Sequence, residues 1–143
     1  LRNFSFYRPA TLITPNHHEA LRVTNTEDAS NDGLHKAAKS IQERLNCDAV
    51  LITCGDRGMM LLKKDDQPAY VKTAAREVYD VTGAGDTVIA TLAAGLAAGA
   101  SLIEAATLAN QAAGIVVGKV GTATADADEL RSAFTRSAAI KSV

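Results

Sequence analysis

The stretch Asp80-Val81-Thr82-Gly83-Ala84-Gly85-Asp86-Thr87 indicates the fold of this 143-residue chain. Two glycines flank one alanine just where a β-branched run gives way to a long alanine-rich segment, which predicts that a helix begins here. The first amides of that helix, at Gly83, Ala84 and Gly85, can point outward, and the helix macrodipole adds a partial positive charge. We therefore predict an anion-binding site at this turn.

Asp86 falls in the first turn of the same helix. Its carboxylate can reach a substrate hydroxyl while the neighbouring amides hold a phosphate, and phosphoryl transfer to an alcohol needs such a base beside an anion hole. A second interpretation stays open on the residues alone, in which Gly-Ala-Gly is only a tight turn and Asp86 only a cap. The stretch is neither a Walker A loop nor the six-residue dinucleotide fingerprint, because no Lys-Ser or Lys-Thr follows it and its glycine spacing differs.

On either side of this turn the chain changes character. Short β-branched runs alternate with polar helical stretches before Gly83, and eighteen of the twenty-seven alanines follow it. This pattern predicts an α/β layered domain, with a mostly parallel sheet from the first half and alanine-rich helices packed on it. We predict strands at 11–14, 49–53, 59–62, 69–71 and 77–79, and helices at 17–22, 31–46, 84–98, 101–117 and 126–139. Ser101, with Glu104 three residues later, predicts a capping box at the start of the fourth helix.

Composition limits the function classes. The chain is 47% hydrophobic and 22% charged, as in a soluble globular protein, and its formal charge of −1 predicts no nucleic-acid partner. The uncharged stretch 87–103 is too short and too weakly apolar to span a bilayer, and no secretory signal opens the chain. Cys47 and Cys54 are not spaced as a metal or redox pair, so we expect a reducing cytoplasm. The first residue, Leu1, suggests a trimmed or partial chain.

Three motifs carry a family resemblance. Residues 80–86 resemble the Asp-Thr-x-Gly-Ala-Gly-Asp signature of the ribokinase-like (PfkB) carbohydrate kinases, with Val81 where threonine is common. Residues 14–19, Thr-Pro-Asn-His-His-Glu, resemble the Asn-x-x-Glu motif of that family, and 108–113 followed by Gly121-Thr122 resembles a third. The likeness is narrower to the heptose 7-phosphate kinases of bacterial lipopolysaccharide synthesis. It covers nearly the whole chain but only the second half of such a kinase, and it rests on residues 7–16, 77–89 and 112–122.

The resemblance implies a ribokinase-like fold and ATP-dependent phosphorylation of a sugar hydroxyl, with heptose 7-phosphate converted to heptose 1,7-bisphosphate for ADP-heptose. It makes Asp86 the base and the amides of residues 83–85 the anion hole. Asn16 and Glu19 would organise Mg²⁺ and its waters near the ATP phosphates, since hard cations prefer oxygen ligands. The alternative for this pair is a plain helix N-terminus with an acidic residue in its first turn.

The remaining site residues follow from the same resemblance. Thr53, Gly55 and Gly58 would form the strand end and turn beside the nucleotide, unless they are turn residues only. Asn110 would face adenine, unless it is a polar residue satisfied inside the core. A monovalent-cation site for K⁺ would be built by Asp80 and Thr82 with carbonyls of residues 117–122.

The implied partners are ATP and a phosphorylated sugar, within a homo-oligomer and with neither nucleic acid nor membrane. In this family the sugar pocket, the glycine-rich substrate motif and the lid come from the first half of the kinase, and this sequence contains none of them. We therefore expect the 143-residue chain alone to lack sugar phosphorylation. Two alternatives stay open: a kinase for another sugar or a nucleoside, and a non-catalytic module that binds a regulatory nucleotide and serves assembly.

Overall fold

The structure, a computed structural model, describes residues 3–140, which divide after Val71 into two units. The first unit holds a four-stranded sheet and two helices, which are the elements expected of an α/β chain. Its strands are β1 (Leu12–Ile13), β2 (Ala49–Thr53), β3 (Met59–Lys63) and β4 (Ala69–Val71), its helices are α1 (His17–Thr24) and α2 (Asn31–Leu45), and 3₁₀ turns occupy Phe4–Tyr7 and Gly55–Arg57.

The sheet order is β1-β2-β3-β4. The α/β class is confirmed, but the expectation of a mostly parallel sheet is wrong for the described strands, because only β1 and β2 run parallel. β2 pairs with β3, and β3 with β4, in antiparallel fashion. Residues 54–58 connect β2 to β3, and residues 64–68 connect β3 to β4. Connections this short can form hairpins between antiparallel strands, but they are too short for the crossover that a parallel pair needs.

The core of the first unit forms where β2 meets α2. Four successive residues of β2, Ala49 to Ile52, are fully buried, as in a strand covered on both faces. The buried positions of α2 recur at helical spacing and form one apolar stripe. They are Leu34, Ala37, Ala38, Ile41 and Leu45, and they join Val50 and Ile52 in a single cluster.

The second unit is helical, with α3 (Ala84–Ala97), α4 (Leu102–Val117) and α5 (Ala127–Ile140). α4 begins with the predicted capping box between Ser101 and Glu104. The predicted strand at 77–79 is wrong: the segment has no strand partner among the described residues, and its Tyr79 amide donates instead to the Val117 carbonyl at 2.8 Å. No helix within residues 3–140 is long and apolar enough to cross a membrane.

Candidate active site

Helix α3 begins without a side-chain cap. Its N-cap is Gly83, whose φ of 79° and ψ of 0° lie in the left-handed region that favours glycine. The Ala84 amide donates to the Val81 carbonyl at 3.1 Å, and the Thr87 amide donates to the Gly83 carbonyl at 2.9 Å. A Cβ at Gly83 would meet only Thr122 Cγ2, at 3.4 Å, so the backbone angle and not the available space requires glycine there.

Three amides at this turn have no acceptor in the part of the chain that the structure describes. Within residues 3–140 the N–H groups of Gly83, Gly85 and Asp86 find no hydrogen-bond acceptor, whereas that of Ala84 is already engaged. A Cβ built on Gly85 would meet nothing within 4 Å, so the space beside these amides is open. Ala84 was predicted to belong to the anion hole, but its amide bonds the Val81 carbonyl, and this bond depends on how the turn closes. The Asp86 amide was not predicted as a donor, although it is one of the first four amides that a helix start leaves unpaired.

Asp86 is the third residue of α3, and its side chain is exposed. In the described part of the chain no donor engages its carboxylate, which leaves both oxygens able to accept a proton. The Asp86 amide and the Gly85 amide belong to the same helical turn as this carboxylate. A carboxylate that can accept a proton and amides that can donate to an anion therefore lie within one turn, which is the arrangement that acid–base catalysis on a hydroxyl requires.

Asp80 lies just before this turn. The Thr82 amide donates to Asp80 Oδ1 at 2.9 Å. The Thr82 hydroxyl, the Thr82 amide and the Gly121 amide hold the pKa of Asp80 below its ordinary value, so the carboxylate is charged at neutral pH. The structure thus brings Asp80, Thr82 and Gly121 together, as the family resemblance implies for a monovalent cation.

The fit to a potassium ion is partial. The Val117 carbonyl accepts two hydrogen bonds, from the Tyr79 amide at 2.8 Å and the Asp80 amide at 3.3 Å. A carbonyl oxygen has two lone pairs, so Val117 has no remaining acceptor capacity for a cation. The Asp80 carboxylate suits a cation ligand, and the carbonyls of residues 118–122 accept no hydrogen bond among the described residues.

In the first unit the carboxyl ends of β1 and β2 meet. Asn16 forms a parallel bridge with Thr53, and the Thr53 amide donates to the Pro15 carbonyl at 3.0 Å. Ligands of α/β sheets bind beside the carboxyl ends of parallel strands. Asn16, Glu19, Thr53 and Gly55 therefore lie at or next to the edge where a nucleotide is expected.

Asn16 and Glu19 form a capping box. The Glu19 amide donates to Asn16 Oδ1, and the Asn16 amide donates to Glu19 Oε2, both at 2.9 Å. The two side chains therefore form the N-terminus of α1, as the alternative interpretation of this pair predicted. Asn16 Oδ1 and Glu19 Oε2 each accept one hydrogen bond, and Glu19 Oε1 accepts none from the described residues. The same part of the chain contains no group of three or more metal-binding side chains. One carboxylate oxygen fits a magnesium ion held mainly by phosphates and waters, which is how Mg²⁺ usually binds.

The turn after β2 contains two glycines, Gly55 and Gly58, which play different structural roles. Gly58 is buried, with φ 89° and ψ −129°, and its carbonyl accepts from the Cys54 amide at 2.8 Å. Gly55 has φ 60° and is exposed, and a Cβ there would meet nothing within 4 Å. Gly58 therefore holds the turn, whereas Gly55 leaves open space at the expected nucleotide edge.

Asn110 is buried in α4, and its Nδ2 donates to the Lys72 carbonyl at 2.8 Å. One helical turn later, a Cβ at Gly114 would lie 2.9 Å from the Ala74 carbonyl carbon. Asn110 and Gly114 thus fasten residues 72–75 closely against α4. Asn110 is thus a buried polar residue with a hydrogen-bond partner inside the protein, which was the alternative interpretation. Its contact with adenine stays a prediction. Gly114 was not predicted to matter, because no residue near it in sequence indicates this close approach.

Comparisons with known proteins agree with the motifs. Residues 5–129 match the family model described as pfkB family carbohydrate kinase. The bifunctional protein HldE of Ectopseudomonas mendocina is 51% identical over 135 residues, which are 94% of this chain and 28% of that protein. HldE of Magnetococcus marinus is 46% identical over 133 residues, 93% of this chain and 27% of that protein. The chain therefore spans little more than a quarter of the length of these relatives.

Solved structures share the fold. Arabidopsis thaliana ribokinase complexed with ribose and ATP superposes with a TM-score of 0.79 at 26% identity, over 85% of this chain and 40% of that one. Ribokinase from Giardia lamblia gives a TM-score of 0.82 at 24% identity, over 94% and 46% of the two chains. Escherichia coli phosphofructokinase-2 in complex with potassium gives 0.80 at 22%, over 90% and 41%. These likenesses confirm the predicted ribokinase-like fold.

Proposed function

The chain belongs to the pfkB family of carbohydrate kinases, and from this premise we propose that it supplies the base and the anion hole for phosphoryl transfer from ATP to a sugar hydroxyl. The observation that carries the proposal is the first turn of α3. An exposed carboxylate, Asp86, stands there beside the amides of Gly85 and Asp86, which have no acceptor among the described residues.

In the proposed reaction Asp86 accepts the proton of the sugar hydroxyl. The hydroxyl oxygen then forms a bond to the γ-phosphorus of ATP as the bond between that phosphorus and the β,γ-bridging oxygen breaks, and ADP leaves with the electron pair. The amides of Gly83, Gly85 and Asp86 donate to the oxygens on which negative charge is held. Mg²⁺, when bound, neutralises phosphate charge, and Glu19 Oε1 is the oxygen of its capping box that can accept from the waters of the ion.

We propose heptose 7-phosphate as the acceptor and heptose 1,7-bisphosphate as the product, within ADP-heptose and lipopolysaccharide core biosynthesis in the cytoplasm. Support comes from the resemblance of residues 7–16, 77–89 and 112–122 to heptose 7-phosphate kinases. The 46–51% identity to HldE proteins over more than nine-tenths of the chain is consistent with that resemblance. The first turn of α3 serves the transferred phosphoryl group and carries no information about the acceptor.

An acceptor panel tests the proposal on the complete protein that contains this chain. ADP release and product mass are measured with ATP and, in turn, heptose 7-phosphate, fructose 6-phosphate, ribose and adenosine. We expect ATP consumption with heptose 7-phosphate and a product carrying a second phosphate. Turnover only with another acceptor would replace the substrate while keeping the kinase. Binding of ATP without turnover on any acceptor would instead support a non-catalytic nucleotide-binding module.

A further inference from the structure

The peptide group between Gly83 and Ala84 has both of its polar groups bonded inside the protein. Its N–H, that of Ala84, donates to the Val81 carbonyl at 3.1 Å. Its C=O, that of Gly83, accepts from the Thr87 amide at 2.9 Å and from the Thr87 hydroxyl Oγ1 at 3.0 Å. Three hydrogen bonds therefore fix the orientation of this single peptide plane.

This plane sets the direction of the groups that the proposed reaction uses. The next two amides, of Gly85 and Asp86, follow it in the same turn, and so does the Asp86 carboxylate. Gly83 has no side chain and the widest backbone freedom of any residue, so its own conformation does not hold the turn. The other described helix starts with an identified N-cap use a side chain for this purpose, namely Asn16, Ser30 and Ser101.

A threonine hydroxyl that bonds the carbonyl four residues earlier is common in helices. Thr24 and Thr135 do so here, at 2.8 Å and 3.0 Å. Thr87 differs from them in its acceptor, which is the N-cap carbonyl of a left-handed glycine, at a helix start that lacks a side-chain cap. The Thr87 hydroxyl thus acts on the one carbonyl whose rotation would turn the anion hole.

From these contacts we infer that the Thr87 hydroxyl is a positioning residue for phosphoryl transfer, acting through the Gly83 carbonyl on the amides of Gly85 and Asp86. The inference rests on the proposed function and deepens it. Thr87 does not contact the reacting atoms. It limits rotation of the Gly83–Ala84 peptide, so that the amides of Gly85 and Asp86 keep their orientation while charge develops on the transferred phosphoryl group. Preorganised donors of this kind stabilise mainly the transition state.

Three variants of the complete protein test the inference: Thr87→Val, which removes the hydroxyl and keeps the shape; Thr87→Ser, which keeps the hydroxyl; and Thr135→Val, the matched control. We expect Thr87→Val to lower kcat for sugar phosphorylation about ten-fold, with the KM for ATP changed less than about two-fold, because a small misplacement affects alignment more than ground-state binding. Thr87→Ser should restore kcat to within about two-fold of wild type, and Thr135→Val should match wild type.

Hydrogen exchange gives a second readout that does not need turnover. Thr87→Val should speed exchange of the amides in residues 83–88, and Thr87→Ser should not. Wild-type kcat in Thr87→Val, or a kcat loss that serine fails to restore, would overturn the inference.

If the wild-type protein phosphorylates no acceptor, the proposed function is wrong, but the role of Thr87 can still be tested. The test is then the protection of the amides in residues 83–88 against hydrogen exchange when a non-hydrolysable ATP analogue is added. Protection lost only in Thr87→Val supports positioning of a bound phosphate. Equal protection in every variant contradicts it.

Discussion

Helix α1 begins at a residue whose side chain closes the first turn, whereas helix α3 begins at a residue that has no side chain. Both helices carry an acidic residue at the third position, Glu19 in α1 and Asp86 in α3. In α1 one oxygen of Glu19 accepts from the Asn16 amide, and Asn16 Oδ1 accepts from the Glu19 amide. In α3 the corresponding carboxylate and amide both stay without a partner among the described residues.

The difference shows that a carboxylate in the first turn of a helix does not by itself indicate a base. A carboxylate that accepts the N-cap amide stabilises its own helix, and one of its two oxygens is held in that bond. A carboxylate beside a glycine N-cap keeps that capacity, and the neighbouring amides keep theirs. The uncapped start of α3 is therefore less stable as a helix end but better suited to bind an anion and accept a proton.

The largest expected effect comes from removing the charge at α3. Asp86→Asn in the complete protein should lower kcat by about 10²–10⁴-fold, the range for loss of a general base. The free energy of unfolding should fall by no more than about 0.3–1 kcal/mol, because the carboxylate supports no contact among the described residues and loses only its interaction with the helix dipole. Steady-state kinetics with ATP and the sugar acceptor measure the first expectation, and thermal unfolding measures the second.

Two controls sharpen this comparison. Asp128→Asn makes the same change in the first turn of α5, where Asp128 accepts from exposed Arg131 Nη1 at 2.6 Å, and kcat should not change. Glu19→Gln keeps an oxygen that can still cap α1 but replaces Oε1, the oxygen proposed to accept from the waters of Mg²⁺. Its kcat should therefore fall, but less than in Asp86→Asn, while the free energy of unfolding stays close to that of wild type. Full activity in Asp86→Asn would end the assignment of the base.

A smaller loss is expected when the open space beside the α3 amides is filled. Gly85→Ala introduces a methyl group that meets no protein atom within 4 Å. Because alanine favours a helix over glycine, the free energy of unfolding should rise by about 0.5–1 kcal/mol. The methyl group should nevertheless hinder the phosphate and lower kcat/KM about ten-fold, as a displacement of the bound group does.

Gly114→Ala is the contrasting variant. Its Cβ would lie 2.9 Å from the Ala74 carbonyl carbon, so it should lower stability by about 1–3 kcal/mol through overpacking. Urea unfolding and kcat/KM for both variants give the comparison. A Gly85→Ala protein with unchanged kcat/KM would show that no ligand approaches these amides.

The same contrast explains what the sequence could predict. The apolar run of β2 and the Ser101–Glu104 capping box are local patterns, and both are confirmed. The glycine at the start of α3 and the helical position of Asp86 were likewise predicted from adjacent residues, since a helix start depends on its own first turn. The engagement of the Ala84 amide was not predicted, because it depends on which carbonyl that amide reaches when the turn closes.

Non-local pairing accounts for the remaining differences. Residues 77–79 have the composition of a strand, but a strand also needs a partner ladder, and the Val117 carbonyl takes the Tyr79 amide instead. Whether β3 and β4 run parallel or antiparallel to their neighbours was decided by the short connecting loops, not by the apolar runs that predicted the strands. Asn110 was assigned to a nucleotide by its motif, whereas its bond to the Lys72 carbonyl joins residues 38 positions apart.

Removing the N-cap side chain of α1 should lower stability, and α3 offers no equivalent change because its N-cap is a glycine. Asn16→Ala removes the acceptor of the Glu19 amide and should lower the free energy of unfolding by about 0.5–2 kcal/mol. Asn16→Ser keeps a hydroxyl acceptor at the N-cap and should stay within about 0.5 kcal/mol of wild type. Urea unfolding measures both. Equal stability in the alanine variant would mean that the capping box does not hold this helix start in solution.

The smallest expected effect is a pH dependence at the start of α4, a third helix with an acidic residue in its third position. The Ser101 hydroxyl and then the Ser101 amide hold the pKa of Glu104 below its ordinary value of 4.5. A carboxyl whose pKa is lower in the folded state binds fewer protons when folded than when unfolded, so its contribution is present above pH 4.5 and is lost as the pH falls through the folded pKa. The stability advantage of wild type over Glu104→Gln should therefore shrink as the pH is lowered from 7 to 3, and Ser101→Ala should weaken the same pH dependence, because the hydroxyl is its leading cause.

Urea unfolding at stepped pH measures the free-energy difference between wild type and each variant. Glu104 is exposed, so the effect should be small, and an advantage that stays constant across this range would show that the capping box of α4 does not lower the pKa of Glu104.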